Sequence, residues 1–379
     1  MGRFHAFDLA SQLEKRGHLH QLITSYPKFE VKKRGIPRRR TTSILSSELL
    51  QRGWHRMPAS LKRRGDPGDR FHRHYDLRAT RALHGGADLF VGWSGSSLNA
   101  IRRARTLGMV TVVERGSSHI AFQRDILREE YQREGLRAQL PHPAIVETEL
   151  AEYNEADYIA IPSDFVKRTF VELGVPESKL LHLPYGVSLE SFSPARKQDD
   201  VFRIIHCGAV NLRKGCHYLL QAFSELDLPD AELWFVGPVA AETESFRARY
   251  ASSSVVYHGA RPQAELARYY SQSSVFCLAS IEEGLAMVIP QAMACGLPVL
   301  ATDHTGAADV VRNGIDGYIV GIRDVSALKE KILEMYENRE RCETMGESAR
   351  KRVSSGFTWD DYGGRVAAAY SRALSERIA

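Results

Sequence analysis

Two stretches of the chain put charged side chains where a strand gives way to a helix. The more specific is Ser280–Val299, SIEEGLAMVIPQAMACGLPV. An apolar run predicts a strand ending near Ser280, then an acidic, glycine-containing loop, then a helix that stops at Gly296-Leu297-Pro298. Glu283 stands on the loop beside Gly284, and the backbone N–H groups of Leu285, Ala286 and Met287 are expected to open the helix. Unpaired donors at a helix start favour an anion such as a phosphate. A carboxylate is repelled by phosphate, so Glu283 suits the hydroxyls of a sugar. Gln291 lies eight residues further on, roughly two turns into the helix, and can point back toward the same loop. The second stretch is Ile204–Phe223, IIHCGAVNLRKGCHYLLQAF, in which a strand ends at Gly208 and Arg213-Lys214 precede an amphipathic helix. Such a cationic pair can neutralise a pyrophosphate. The competing reading is an ordinary surface Arg-Lys pair, although cations at a helix start oppose the helix dipole.

The elements that must carry these loops read as parallel sheets built from strand–helix–strand units. Strands are predicted at His18–Ser25, Asp88–Trp93, Met109–Glu114, Tyr158–Pro162 and Leu180–Pro184 in the first half. The second half has Phe202–Cys207, Glu232–Val236, Val255–Tyr257, Val275–Leu278, Val299–Ala301 and Gly317–Val320. The polar segment Ser188–Asp200 separates the two sets. The expected organisation is therefore a first domain over 1–187, a linker over 188–200, a second domain over 201–356 and a terminal helix over 357–379 that packs back on the first domain. Phe4, Phe7, Ala10 and Leu13 recur at helical spacing and the pattern stops at Gly17. The strand expected before this helix is missing, and a start assigned too late is the expectation.

Composition sets the class. The chain has 379 residues, 43% hydrophobic and 26% charged, which suits two ordinary globular domains. No apolar run approaches the roughly 18 residues of a membrane-spanning helix, and nothing near the N-terminus reads as a signal peptide. The five cysteines, Cys207, Cys216, Cys277, Cys295 and Cys342, lack paired ligand spacing and read as buried thiols in a reducing cytoplasm. The net charge of +5 is uneven: residues 1–80 sum to +11 and the remainder to −6. The excess centres on Lys32-Lys33-Arg34, Arg38-Arg39-Arg40 and Lys62-Arg63-Arg64, interleaved with Tyr26, Phe29, Ile36, Leu49, Leu50 and Trp54. That mixture suits an anionic membrane surface, at about 1 kcal/mol per cation. A solvated charged loop with no partner is the equal alternative. Nucleic acid is not expected, because no binding motif accompanies the charge.

Taken together these motifs resemble the retaining glycosyltransferases of family 4, the glycosyl transferases group 1, with the GT-B fold. The matching elements run in order through Lys15-Arg16-Gly17-His18, Pro162-Ser163 with Phe165-Val166, and Pro184-Tyr185-Gly186-Val187 with Phe192. Gly208 with Lys214-Gly215, Phe235-Val236-Gly237 and Tyr257-His258-Gly259 follow. The Ser280–Pro298 block, Gly306 with Asp309, and Asn313-Gly314 with Gly317 complete the set. The resemblance implies an α/β fold of two Rossmann-like domains facing a cleft, with the first strand of the N-terminal domain missing here. It implies a nucleoside-diphosphate sugar as donor, a hydroxyl acceptor, and a protein acting without a cofactor or metal; the basic, aromatic first domain points to a lipid-linked or membrane-proximal acceptor in building a cell-surface glycan. Lys214 with Arg213 would meet the diphosphate, Glu283 the sugar hydroxyls, and the amides of Gly284, Leu285, Ala286 and Met287 the phosphate or sugar. Gln291 would meet the ribose, His119 in Glu114–Ile120 would face the sugar, and the Gly2-Arg3 loop would close over the diphosphate. A cytoplasmic protein, seated peripherally on the inner face of the membrane if the basic region binds lipid, is the corresponding expectation.

Three positions depart from the family pattern: Gln291 stands for a second glutamate, Ala209 for an Arg, and Tyr185 for an Asn. An amide offers a ribose diol one acceptor oxygen and a donor group where a carboxylate offers two acceptors. Glu283 and Lys214 are kept, so an active enzyme is expected, with a non-catalytic nucleotide-sugar-binding subunit as the alternative. A nicotinamide dehydrogenase is disfavoured because no G-x-G-x-x-G follows a strand. A sugar phosphorylase is disfavoured because no cofactor lysine or free-phosphate signature stands out. The expected reaction, sugar transfer with retention, would draw on Lys214, Arg213 and helix-start amides to stabilise charge on the departing diphosphate.

Overall fold

The structure is a computed structural model that describes residues 5–57 and 67–378. Every paired strand is parallel, and the strands fall into three sheets. The second half holds a six-stranded sheet of β7 (Phe202–Cys207), β8 (Ala231–Val236), β9 (Val255–Tyr257), β10 (Val275–Leu278), β11 (Val299–Thr302) and β12 (Gly317–Val320), in the order β12-β11-β10-β7-β8-β9. All residues of β7, β10 and β11 are buried. Helices cover a parallel sheet on both faces, so its central strands are written as unbroken apolar runs, which is why they were legible.

The first half holds a four-stranded sheet, β3 (Leu89–Trp93), β4 (Val110–Glu114), β5 (Tyr158–Ile161) and β6 (Leu180–His182), in that order. A separate pair, β1 (Leu22–Thr24) with β2 (Thr41–Ser43), stands apart from it. The expected strand over His18–Ser25 is thus only three residues long. Gly17 takes φ +75°, and the His18 N–H closes the helix Ala6–Lys15 on the Leu13 carbonyl at 2.8 Å, so the residues just after the helix are spent on its cap.

Segment 188–200 hydrogen-bonds onto the second domain: the Ala195 N–H donates to Ser271 Oγ at 2.9 Å and Lys197 Nζ donates to Ser274 Oγ at 2.9 Å. The helix Trp359–Ile378 crosses back. Arg16 Nη2 donates to the Asp360 carbonyl at 2.8 Å, Arg377 Nη1 to the Gly108 carbonyl at 2.7 Å, and Tyr158 Oη to Glu376 at 2.6 Å. All five cysteines are free and buried.

Candidate functional site

The order of the six-stranded sheet reverses between β7 and β10: the chain winds outward through β8 and β9 on one side and through β11 and β12 on the other. A crevice opens at the carboxyl ends of two such strands, because their following loops turn in opposite directions. The loop after β7 carries Arg213 and Lys214, and the loop after β10 carries Glu282 and Glu283. The Ile281 N–H donates to the Arg213 carbonyl at 2.8 Å and ties the loops together. Asn211 Oδ1 accepts the Lys214 N–H at 3.0 Å. Gly215 then enters its helix at φ +59°, where a Cβ would overlap the Ala279 carbonyl oxygen, so only glycine fits.

This framework brings Lys214 Nζ to 2.5 Å from Glu283 Oε1, with Arg213 Nη2 at 3.5 Å from the same oxygen. Arg213 Nε also lies 2.9 Å from Glu282 Oε2. Two cations thus face two carboxylates. Burial opposes the charge of Arg213, but Glu282 and Glu283 outweigh it and raise its pKa, so the guanidinium stays charged at any working pH.

Glu282 was missed in the sequence, where attention went to its neighbour. It is fully buried, and its carboxylate accepts from the Ser118 N–H at 2.9 Å, Ser118 Oγ at 2.7 Å and Gln123 Nε2 at 2.8 Å, all from the first domain. Burial alone would raise its pKa. Arg213 and the hydrogen bonds from Ser118 and Gln123 prevail and hold it at about 2. Arg115 extends the network, donating to Gln123 Oε1 at 3.0 Å and pairing with Glu149 at 2.7 Å. The domains also touch at Gly284, where a Cβ would overlap the Gly116 carbonyl oxygen, and Ser163 Oγ donates to the Gly284 carbonyl at 2.7 Å. No local signal separated it from Glu283, because Ser118, which claims its carboxylate, lies 164 positions away.

Other expectations need correction. The helix begins at Val288 rather than Leu285 and has seven residues. The Ala286 N–H donates to the Thr305 carbonyl at 3.3 Å and the Glu283 N–H to the His304 carbonyl at 2.9 Å, so the loop amides are partly consumed by the next loop. Leu285 and Ala286 are core residues and Met287 is half-buried. His119 lies outside the constellation. It caps the helix Ile120–Arg133, its Nδ1 accepting the Ala121 N–H at 3.3 Å, and its ring packs on Tyr153 and Phe170. Burial, then the Arg115 charge, pushes its pKa down to about 4, so it is neutral near pH 7. Gly2 lies outside the described residues. Gln291 is 7% exposed and its Oε1 has no hydrogen-bond partner. Tyr185, at one of the departing positions, is buried against His5, their rings 4.2 Å apart.

Among the described residues, two groups of side chains could hold a metal by geometry, Glu130 with Glu134 and His217, and Asp164 with His182 and Asp309. Neither includes Lys214 or Glu283. Arg323 lies 2.7 Å from Glu130, and His182 lies 2.7 Å from Asp309, so both groups already serve as links between the domains.

Comparison with known proteins fits this geometry. Residues 188–352 match the glycosyl transferases group 1 family. Among curated relatives, a GDP-mannose-dependent alpha-(1-6)-phosphatidylinositol monomannoside mannosyltransferase of Mycolicibacterium smegmatis is 28% identical over 236 residues, covering 56% of this chain and 62% of the relative. The sulfoquinovosyl transferase SQD2 of Arabidopsis thaliana is 27% identical over 222 residues, covering 55% and 43%. The chain thus spans less than two thirds of the length of either relative. Among solved structures, Anabaena Alr3699/HepE in complex with UDP and glucose superposes with a TM-score of 0.70 at 16% identity, covering 97% of this chain and 96% of that one. The fold is GT-B, and over residues 188–352 the chain is similar to the glycosyl transferases group 1 family.

Proposed function

We propose that the protein is a glycosyltransferase that moves a sugar from a nucleoside diphosphate to a hydroxyl, with retention at the anomeric carbon, in building a polysaccharide or glycolipid. The observation that carries this reading is the contact of Lys214 with Glu283 on the two loops that flank the reversal of strand order. A diphosphate competes with Glu283 for Lys214, because a phosphate bearing more charge is the stronger partner for an ammonium. Released from the lysine, Glu283 accepts hydrogen bonds from sugar hydroxyls. Arg213, held by Glu282, adds a fixed second cation. As the bond from sugar to phosphate breaks, negative charge grows on the leaving oxygen and these cations stabilise it. The acceptor hydroxyl attacks the same face, its oxygen bonding to the anomeric carbon, and its proton passes to the departing phosphate oxygen. The Glu282 contacts between domains keep the cleft shut and water out.

A thermal-shift panel of UDP-, GDP- and ADP-sugars, followed by a transfer and hydrolysis assay with the best stabiliser, tests the proposal. A bound donor raises the melting temperature by mass action. Stabilisation with no transfer and no hydrolysis would instead establish a non-catalytic binding subunit, and no stabilisation by any donor would overturn both. Both bases belong in the panel, since one relative is named for GDP-mannose and one structural neighbour holds UDP.

The unpartnered Oε1 of Gln291 supports a ribose contact, because a buried acceptor left unsatisfied costs about 1–3 kcal/mol that a ligand hydroxyl would recover. Gln291→Glu should leave the fold intact and tighten nucleotide binding. Calorimetry showing a large loss of affinity would remove the ribose assignment.

The acceptor side supports a membrane-proximal reading. On the helix Leu45–Arg56, Leu49 is 68% exposed and Leu50 also faces solvent, while Phe29 is 54% exposed beside Lys33. No helix among the described residues is long and apolar enough to cross a membrane. Leu49→Asp with Leu50→Asp should cut binding to vesicles containing anionic lipid several-fold in a flotation assay. Unchanged binding, or none by the unaltered protein, would make the charge a solvated surface.

A further inference from the structure

The loop that carries Arg213 and Lys214 is held from behind by its neighbour. Past their ends, β7 and β8 keep running side by side: the Val210 N–H donates to the Pro238 carbonyl at 2.8 Å and the Ala240 N–H to the Val210 carbonyl at 2.9 Å. Gly237 allows the approach, because a Cβ there would overlap the Gly208 carbonyl oxygen. The chain after β8 then makes a short turn over Ala241–Thr243, fixed by Thr243 Oγ1, which donates to the Ala240 carbonyl at 2.7 Å. This turn brings Glu242 to the loop after β7, where its Oε1 accepts the Leu212 N–H at 3.0 Å. Leu212 is fully buried, and Arg213 and Lys214 follow it directly. A backbone donor at a buried residue needs an acceptor, so this carboxylate pins the loop at the residue just before its two cations.

The other oxygen of the same carboxylate is held by the first domain. Glu242 Oε2 accepts from Tyr131 Oη at 2.7 Å and from Gln139 Nε2 at 3.0 Å. Tyr131 lies on the helix Ile120–Arg133, whose Ile126, Leu127 and Tyr131 share one apolar cluster with Leu212, Cys216 and Leu219 of the second domain. Burial, then the bond to Glu242, raises the pKa of the Tyr131 hydroxyl, so it stays a donor. The same helix has a second hold nearby. Glu130 Oε1 lies 2.9 Å from Nε2 of His217, on the helix Cys216–Leu226 that the loop enters, and Glu130 Oε2 accepts from Arg323 Nε at 2.7 Å.

We infer that Glu242 is a positioning residue for the Arg213-Lys214 loop, and that its hold depends on the two donors the first domain supplies. The inference rests on the reading of that loop as the diphosphate site. A carboxylate carries its two acceptor oxygens in one rigid plane. With Oε2 fixed by Tyr131 and Gln139, Oε1 has one place to be, and the Leu212 N–H is fixed against it. Without those donors Glu242, which is only half-buried, is free to turn toward water, and Leu212 is left with a mobile partner. Arg213 and Lys214 are then aimed less tightly, and a diphosphate binds more weakly. A change at Tyr131, in the other domain, is thus felt at Lys214 through one side chain.

The test is a double-mutant cycle of Tyr131→Phe and Glu242→Gln, read by hydrogen exchange of the Leu212 amide and by calorimetry with UDP, GDP and ADP. Tyr131→Phe removes one hydroxyl, keeps the ring in its cluster and leaves Glu130 paired with Arg323, so the fold is retained. It is expected to speed exchange of the Leu212 amide, and to weaken whichever nucleotide binds, each on the order of 5–10-fold. An amide has one acceptor oxygen, so Glu242→Gln serves Leu212 or the first domain but not both. In that background Tyr131→Phe is expected to add less than about two-fold. Where Glu242→Gln does not fold, Gln139→Ala, at an exposed residue, is measured instead and is expected to speed Leu212 exchange as Tyr131→Phe does. A Leu212 amide indifferent to these changes overturns the proposal. So do effects of Tyr131→Phe and Glu242→Gln that simply multiply, or faster exchange with unchanged affinity for a nucleotide that the unaltered protein binds. If none of the three nucleotides binds the unaltered protein, the diphosphate reading falls and takes the positioning role with it, and the exchange data separate that failure from a failure of the coupling.

Discussion

Lys214→Ala is expected to lower turnover by about 10²–10³-fold with saturating donor, the loss seen when one donor that stabilises developing charge is removed. Lys214 is mostly shielded from solvent in the cleft, so its charge acts at reduced dielectric, and no other cation approaches Glu283 as closely among the described residues. Arg213 cannot move in to replace it, because its Nε is engaged by Glu282 at 2.9 Å. Lys214→Arg should not rescue, since a planar guanidinium does not reproduce a compact ammonium. The measurement is steady-state kcat together with the melting temperature. Activity within a few-fold of the unaltered protein, at an unaltered melting temperature, would show that Lys214 does not touch the diphosphate.

Glu282→Ala is expected to destabilise the protein by about 1–3 kcal/mol, because it leaves the buried Ser118 and Gln123 donors without their acceptor and Arg213 with Glu283 as its one remaining carboxylate partner. The pH dependence separates charge from shape. In the folded protein Glu282 titrates at about 2 against an ordinary 4.5, and the group has no exposure. A depressed carboxyl pKa contributes stability that is fully present above pH 4.5 and is lost as pH falls through about 2, here about 3 kcal/mol. Glu282→Gln should remove that part of the acid sensitivity. Chemical denaturation of both proteins at pH 7, 4 and 3 checks it. An equal fall in stability for the two proteins across that range would show that Glu282 does not carry the linkage.

Residues with local signatures were legible in the chain. The core strands are short apolar runs, because a parallel sheet covered on both faces exposes neither side of its strands. Lys214 and the acidic loop at 282–283 could be singled out because each follows such a run and precedes a helix, and the terminal helix carries its own period. The two acids at 282 and 283 could not be told apart, because what distinguishes them is a first-domain residue 164 positions away, Ser118, that claims one carboxylate and leaves the other to the lysine. His119 followed the same loop pattern, yet packing against Tyr153 and Phe170 makes it a helix cap.

By itself, then, the order of residues determined the strands of the four- and six-stranded sheets and which charged groups sit at their junctions with helices, since those depend on neighbours along the chain. Only the tertiary structure decided that the loops after β7 and β10 meet at the reversal of strand order, that the Ala286 amide is already spent on Thr305, and that Gln291 holds an unsatisfied acceptor. Each of these is a pairing between backbone or polar groups distant in sequence, and a hydrogen bond leaves no periodic trace in the residues that make it.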